Sequence, residues 1–191
     1  SDLPDQSLKN NINILILEAQ SGNKEAFHQL VSFHDERVMS LALQLTRNMQ
    51  DAEDLYQEVF IKAYKSIGSF RLESEFFTWL YRITVNSFFN FKKKTLRLQK
   101  QESLDLQKNP KHNISNDSTL TIDKDEVNHA VTKALNQLSI KQKTVFVMKH
   151  YEGLKIREIS AIMNISDGTV KRYLFRAIEK LRPMLKEYRY D

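Results

Sequence analysis

The 191-residue chain has no cysteine. That excludes disulfides, thiolate chemistry and cysteine-ligated zinc, and it suits a reducing, cytoplasmic compartment. Glycine and proline are nearly as scarce, at 4 and 3 residues. So little turn punctuation favours helices over many short strands. Long apolar runs are missing as well. The longest, Ile12–Leu17 and Ser40–Leu45, fall far short of the roughly 20 residues that span a bilayer, so no membrane insertion is expected. The chain does not open on a basic stretch followed by an apolar core, the mark of a secretion signal. His28, His34, His112, His129 and His150 lack metal-ligand spacing. Neither a phosphate-cradling glycine loop nor a nucleophile elbow occurs. The expectation is therefore no cofactor, no resident metal and no catalytic residue.

What the chain does have is helical periodicity and unevenly placed charge. Its 41% hydrophobic content supports real cores, while 28% charged residues suits a soluble protein. From about Leu8 to Arg97 the helical period dominates, with Phe27, Leu30, Val31, Val38, Leu41, Ala42 and Leu45 near one stripe. Asn48 is placed to cap a helix carrying Asp51, Glu53 and Asp54 at its positive end and closing near Gly68. A short loop then leads to Ser74, a candidate cap for an aromatic-rich helix. Residues 98–125 lose periodicity and become rich in Asn, Ser, Asp, Gln and Lys, which reads as a flexible linker. The expected fold is all-α, two helical domains on a tether: residues 8–97 and 126–191.

The second domain carries a helix-turn-helix pattern. Ser139 and Gln142 make a capping box ahead of a helix that Gly153 ends. Ile156, Ile159 and Ile162 stripe the next helix, with Ile165 in the turn. Val170, Leu174, Ala177, Ile178 and Leu181 stripe the one after. Between them Asn164 is the non-glycine residue best suited to a left-handed turn, and Ser166 can cap the second helix. The face left over holds Lys171, Arg172, Phe175 and Arg176. From Ser139 to Asp191 there are 12 Lys and Arg against 6 Asp and Glu, so this segment carries +6 where the whole chain carries +5. That places positive charge where a recognition helix meets phosphates and guanine edges.

The aromatic segment Phe70–Lys94 sets Phe70, Phe76, Phe77, Trp79, Tyr81, Phe88, Phe89 and Phe91 among cations. Phe77, Leu80 and Phe88 can share a buried stripe. Phe70, Phe76 and Tyr81 lie off it; taken ring by ring, plain core is the better expectation, while the cluster as a whole is expected to hold exposed rings, these three among them, beside Arg71, Arg82 and Lys92, Lys93 and Lys94. Exposed rings among cations suit unpaired nucleic acid, since stacking is worth about 1–3 kcal/mol per base, comparable to the few kcal/mol lost on unstacking one. Asp51, Asp54 and Glu58 occupy one helical face. They serve the helix start, a magnesium ion, or docking on a basic protein surface, and no second acidic run completes a magnesium site.

Taken in order, "DAEDLYQEVFIKAY", "SFRLESEFFTWLYRITVN" and "GLKIREISAIMNISDGTVKRYLFRAIEKLR" resemble the extracytoplasmic-function sigma factors of bacteria across nearly the whole chain. The resemblance implies regions 2 and 4 of such factors and no enzymatic activity. It implies core RNA polymerase as partner, met at the β′ clamp helices and the β flap, with promoter DNA and an anti-sigma factor as further partners. The acidic helix, with Asp51, Asp54, Gln57 and Glu58, looks like the polymerase-docking surface. Lys62, Phe70, Arg71, Tyr81, Arg82 and Asn86 match positions at or near the pocket for a flipped base of the −10 element. Thr169, Lys171, Arg172, Phe175 and Arg176 match the −35 reader. Leu72 stands where the family often has glycine, Asn164 for a common turn glycine and Ser160 for a common alanine. Arg172 and Tyr173 replace a frequent Ser-Arg pair, so no −35 sequence carries over. The competing readings are a helix-turn-helix regulator with a sensing N-terminal half, and a helical magnesium-dependent enzyme using Asp51, Asp54 and Glu58.

Overall fold

The computed structural model describes residues 3–108 and 126–186. Among these residues it is all-α: α1 (Leu3–Gln20), α2 (Lys24–Ser32), α3 (Asp35–Thr46), α4 (Met49–Ser66), α5 (Phe76–Lys108), α6 (Glu126–Asn136), α7 (Ile140–His150), α8 (Ile156–Met163) and α9 (Asp167–Met184). One 3-10 turn, Ile67–Ser69, follows α4.

Helix starts follow local chemistry. Asn48 accepts from the Asp51 amide at 2.9 Å, Ser166 accepts from the Thr169 amide at 3.2 Å, and Asn23 caps α2 through two amides. Ser139 and Gln142 form the reciprocal box: the Gln142 amide donates to Ser139 Oγ and the Ser139 amide to Gln142 Oε1. Each such cap is worth about 1 kcal/mol. Asn164 closes α8 in the left-handed region at φ 53°, as the turn between α8 and α9 requires.

Four features depart from the sequence expectation. The single stripe from Phe27 to Leu45 spans two helices, broken at Phe33 and His34. Both turn their apolar faces to one core, so the period survives the break. His34 ties the corner by donating from Nδ1 to the Leu30 carbonyl at 2.8 Å. Helix α5 begins at Phe76, which puts Glu75, and not Ser74, at the cap position. It also runs on to Lys108, so 98–108 is helical where a linker was expected to begin; residues 109–125 of that segment lie outside the described residues. Finally, α9 reaches 18 residues, where the sequence reading expects two short helices after Gly153.

Helices α3, α4 and α5 pack together, with α1 and α2 against one side. Helix α7 is buried nearly all round, at Gln142, Lys143, Thr144, Val145, Val147 and Met148. It lies against α3 as well as α8 and α9. One apolar cluster therefore includes Leu41, Leu45, Val85 and Phe88 together with Val147, Met148, Ile159 and Ile162. A fully buried side chain of this size contributes roughly 1.5–3 kcal/mol. A smaller cluster of Ala134, Leu135, Leu138, Ala177 and Leu181 joins α6 to α9.

Candidate nucleic-acid interface

Helix α9 presents Lys171, Arg172, Phe175 and Arg176 to solvent, while Val170, Leu174 and Ala177 face inward. The 3.6-residue period produces that division. Phe175 is 63% exposed, the largest exposure of any big apolar side chain among the described residues. No described acidic side chain pairs with the three cations. Thr169 is half-buried and joined to the cap, its Oγ1 lying 2.9 Å from Ser166 Oγ. The result is an uncompensated positive face with one ring at its centre, carried by the second helix of a helix-turn-helix.

On α4, Asp54 and Gln57 are exposed, and Asp51 and Glu58 are half-buried. Ile61 and Tyr64 continue the same stripe at 54% and 46% exposure. The sequence reading missed these two. This exposed Ile and Tyr leave apolar surface open beside the carboxylates. Among the described residues no three potential metal ligands of the His, Cys, Asp or Glu type are grouped.

The loop after α4 and the start of α5 hold the remaining expected residues. Arg71 and Asn86 are exposed and Lys62 is half-buried. Lys62 Nζ donates to Ser87 Oγ at 3.0 Å and also pairs with Glu58. The expected exposure of Phe70, Phe76 and Tyr81 is corrected: they are 6%, 5% and 1% exposed. Phe70 packs on Phe76 and Trp79, with centroids 5.6 and 5.1 Å away. Gln20 at the end of α1 holds the loop by donating from Nε2 to the Ile67 and Phe70 carbonyls at 2.9 and 2.8 Å. Nothing in the local sequence signals that clasp, which joins positions 47 and 50 residues apart. Phe77, Trp79, Phe89 and Phe91 stay partly exposed.

Tyr81 is covered by the C-terminal helices. Its hydroxyl donates to Glu152 Oε2 at 2.8 Å and lies 3.2 Å from the Arg37 carbonyl. Burial, and then the Glu152 carboxylate, push its pKa well above the usual phenol range. Arg82 is exposed yet tied, Nη2 donating to the Ala161 carbonyl at 2.7 Å. Arg37 stacks on Phe77, 4.2 Å from the ring centroid. A polar cleft of about 640 Å³ opens beside this cluster, lined by Lys9, Asn13, His34, Arg37, Glu73 and Phe77 among others. Burial lowers the His34 pKa, keeping the ring neutral near pH 7.

Among the described residues no helix is long and apolar enough to cross a membrane. Residues 30–97 match the Sigma-70 region 2 family and residues 128–181 match Sigma-70, region 4. The RNA polymerase sigma-H factor of Pseudomonas aeruginosa is 31% identical, over 91% of this chain and 95% of its own length. The ECF RNA polymerase sigma-E factor of Haemophilus influenzae is 35% identical, over 90% and 95%. In three dimensions the sigma factor RpoE of Bartonella quintana, solved with the anti-sigma factor NepR, is similar at a TM-score of 0.62 and 26% identity, over 85% of this chain and 98% of that one. With both region matches in order on one helical scaffold, the chain belongs to the ECF-type RNA polymerase sigma factors.

Proposed function

We propose that this chain is a promoter-specificity subunit that binds core RNA polymerase, recognises −35 and −10 elements and promotes melting, with no chemistry of its own. Residues 8–97 act as region 2, 98–125 as the linker and 126–191 as region 4. The observation that carries the reading is the unpaired cationic face of α9, with Phe175 exposed between Arg172 and Arg176. Arg fits guanine O6 and N7 in the major groove, and a ring or methyl group contacts thymine.

Asp51, Asp54, Gln57 and Glu58 dock on the β′ clamp helices, with Ile61 and Tyr64 adding apolar contact. Lys62, Arg71, Arg82 and Asn86 take the −10 element as a displaced strand, the cations holding phosphates and the partly exposed Phe77, Trp79, Phe89 and Phe91 offering rings to bases, while the buried Phe70 and Tyr81 support that surface from beneath. The β flap meets the C-terminal helices, and an anti-sigma factor is a further partner, as NepR is for the relative from Bartonella quintana. The site of action is wherever polymerase and chromosome are, inside the cell.

Reconstituted transcription with purified core enzyme on a promoter library tests this. Specific run-off products depending on both elements are expected. A chain that binds duplex DNA unaided and never confers initiation is instead a helix-turn-helix regulator.

A further inference from the structure

We propose that Gln20, at the end of α1, is a positioning residue for the −10 element: its side-chain amide fixes the peptide that leads to Arg71 and so presets the loop that meets the displaced strand. The clasp itself rests on contacts; its consequence for DNA rests on the functional reading above.

Gln20 sits on a rigid mount. Helix α1 ends in two paired bonds, the Asn23 amide donating to the Glu18 carbonyl at 3.0 Å and the Gly22 amide to the Ala19 carbonyl at 3.1 Å. Gly22 takes the left-handed conformation that this closure needs, at φ 97°. Ile16 and Ala19 are buried and anchor the last turn of α1 in the core. The Gln20 side chain therefore leaves a backbone with little freedom.

What it grips is specific. Nε2 donates to the Ile67 carbonyl at 2.9 Å and to the Phe70 carbonyl at 2.8 Å. A carboxamide NH2 has two hydrogens and a carbonyl can only accept, so both donors are used, one on each oxygen. The Ile67 carbonyl also accepts from the Phe70 amide at 3.0 Å, which closes the 3-10 turn. The Phe70 carbonyl belongs to the planar peptide unit joining Phe70 to Arg71. Holding it keeps Phe70 at ψ 126° and sets the direction in which the chain continues to Arg71. On the other side the Phe70 ring is pinned against Phe76 and Trp79.

A second tie closes the far end of the loop. Lys9, about three turns earlier on α1, pairs with Glu75. Both side chains are more than half exposed, so this is the weaker tie. Between the two, Arg71, Leu72, Glu73 and Ser74 are exposed. Only this tip is left to be ordered when a strand binds, and fixing the rest in advance lowers the entropy that binding must otherwise supply. With both amide hydrogens engaged, Gln20 acts through the loop and not on DNA.

Trp79 is the chain's one tryptophan and lies against Phe70, so its fluorescence reports the clasp directly. Gln20→Met keeps the length and removes both donors. It is expected to shift Trp79 emission to the red in the free full chain. In holoenzyme, on a promoter that the wild type selects from the library, it should slow opening, read by permanganate reactivity of unpaired thymines. The expected factor is about fivefold, as loss of about one net hydrogen bond gives, with −35 duplex affinity within about twofold of wild type. Gln20→Lys, whose ammonium offers donors at similar reach, should recover both readings. Gln20→Ser, too short to reach either carbonyl, decides the matter if Gln20→Met does not fold. Unchanged emission in the folded variants overturns the proposal. So does altered emission with opening unchanged, an equal loss of opening and −35 affinity, or a Gln20→Lys chain no better than Gln20→Met. A wild type that opens no promoter overturns the promoter reading and the DNA role of Gln20 with it, whereas a wild type that opens one while the variants match it overturns the role of Gln20 alone.

Discussion

Lys62 pairs with Glu58 one turn back on α4, and its Nζ also donates to Ser87 Oγ on α5 at 3.0 Å. A side chain proposed to meet polymerase is thereby joined to one proposed to meet the −10 element. The pair is nearly half exposed at both ends, so it adds only a few tenths of a kcal/mol to stability. Its value lies in orienting two cross-purpose side chains.

Glu58→Gln keeps the volume and removes the charge. Affinity for core polymerase is expected to fall several-fold, with the urea midpoint nearly unchanged. A loss of stability above about 2 kcal/mol would assign Glu58 to the fold, because exposed pairs of this kind do not contribute that much.

Arg176 stands exposed on the outward face of α9. Arg176→Ala should weaken binding to duplexes bearing the preferred −35 element by about 1–3 kcal/mol. Competition titrations against scrambled −35 duplexes check it. The same loss on every sequence would make Arg176 a phosphate contact.

Asn86 is exposed on α5, one residue before the Ser87 that holds Lys62. Asn86→Ala should reduce promoter opening, read by permanganate reactivity of unpaired thymines, about tenfold, with −35 duplex affinity within about twofold of wild type. Equal loss in both assays would remove Asn86 from the −10 contacts.

Lys143 makes stability depend on pH in a definite direction. Burial first, then Lys92 and Arg47, bring its pKa from 10.5 to about 8. A lysine lowered in the folded state penalises folding wherever it must still be protonated, below pH 8. The penalty fades as pH rises from there toward the unfolded value. Tyr81 is raised and His150 lowered, so both stay neutral between pH 7 and 9. Stability should therefore rise by about 1 kcal/mol over that window from this group. Lys143→Met should abolish the rise, and a urea midpoint series checks both. An equal rise in the variant would place the titration elsewhere.

Much of the architecture was legible because its causes are local. Asn48, Ser139 with Gln142, and Ser166 cap helices by bonds reaching three residues along the chain. Asn164 takes the left-handed turn because its short polar side chain tolerates it. The exposed face of α9 follows from periodicity alone. The bend between α2 and α3 was hidden, since two helices facing one core preserve a single stripe.

The burial of the rings was the main thing local reasoning could not supply. Helical spacing sets the angle at which a side chain leaves its own helix, and on that measure Phe70, Phe76 and Tyr81 lay off the main stripe. Whether an angle faces water depends on what else packs there. Gln20 draws the loop down over Phe70 from 50 residues away. Glu152 covers Tyr81 from 71 residues away and reaches Ser40 across 112. The amino-acid order alone determined the helices, their caps, the turn and the placement of charge, because those depend on neighbours within about one turn. Only the tertiary structure decided which cations and rings remain open to a partner, because a carboxylate and a carbonyl from distant helices complete the seam that covers them.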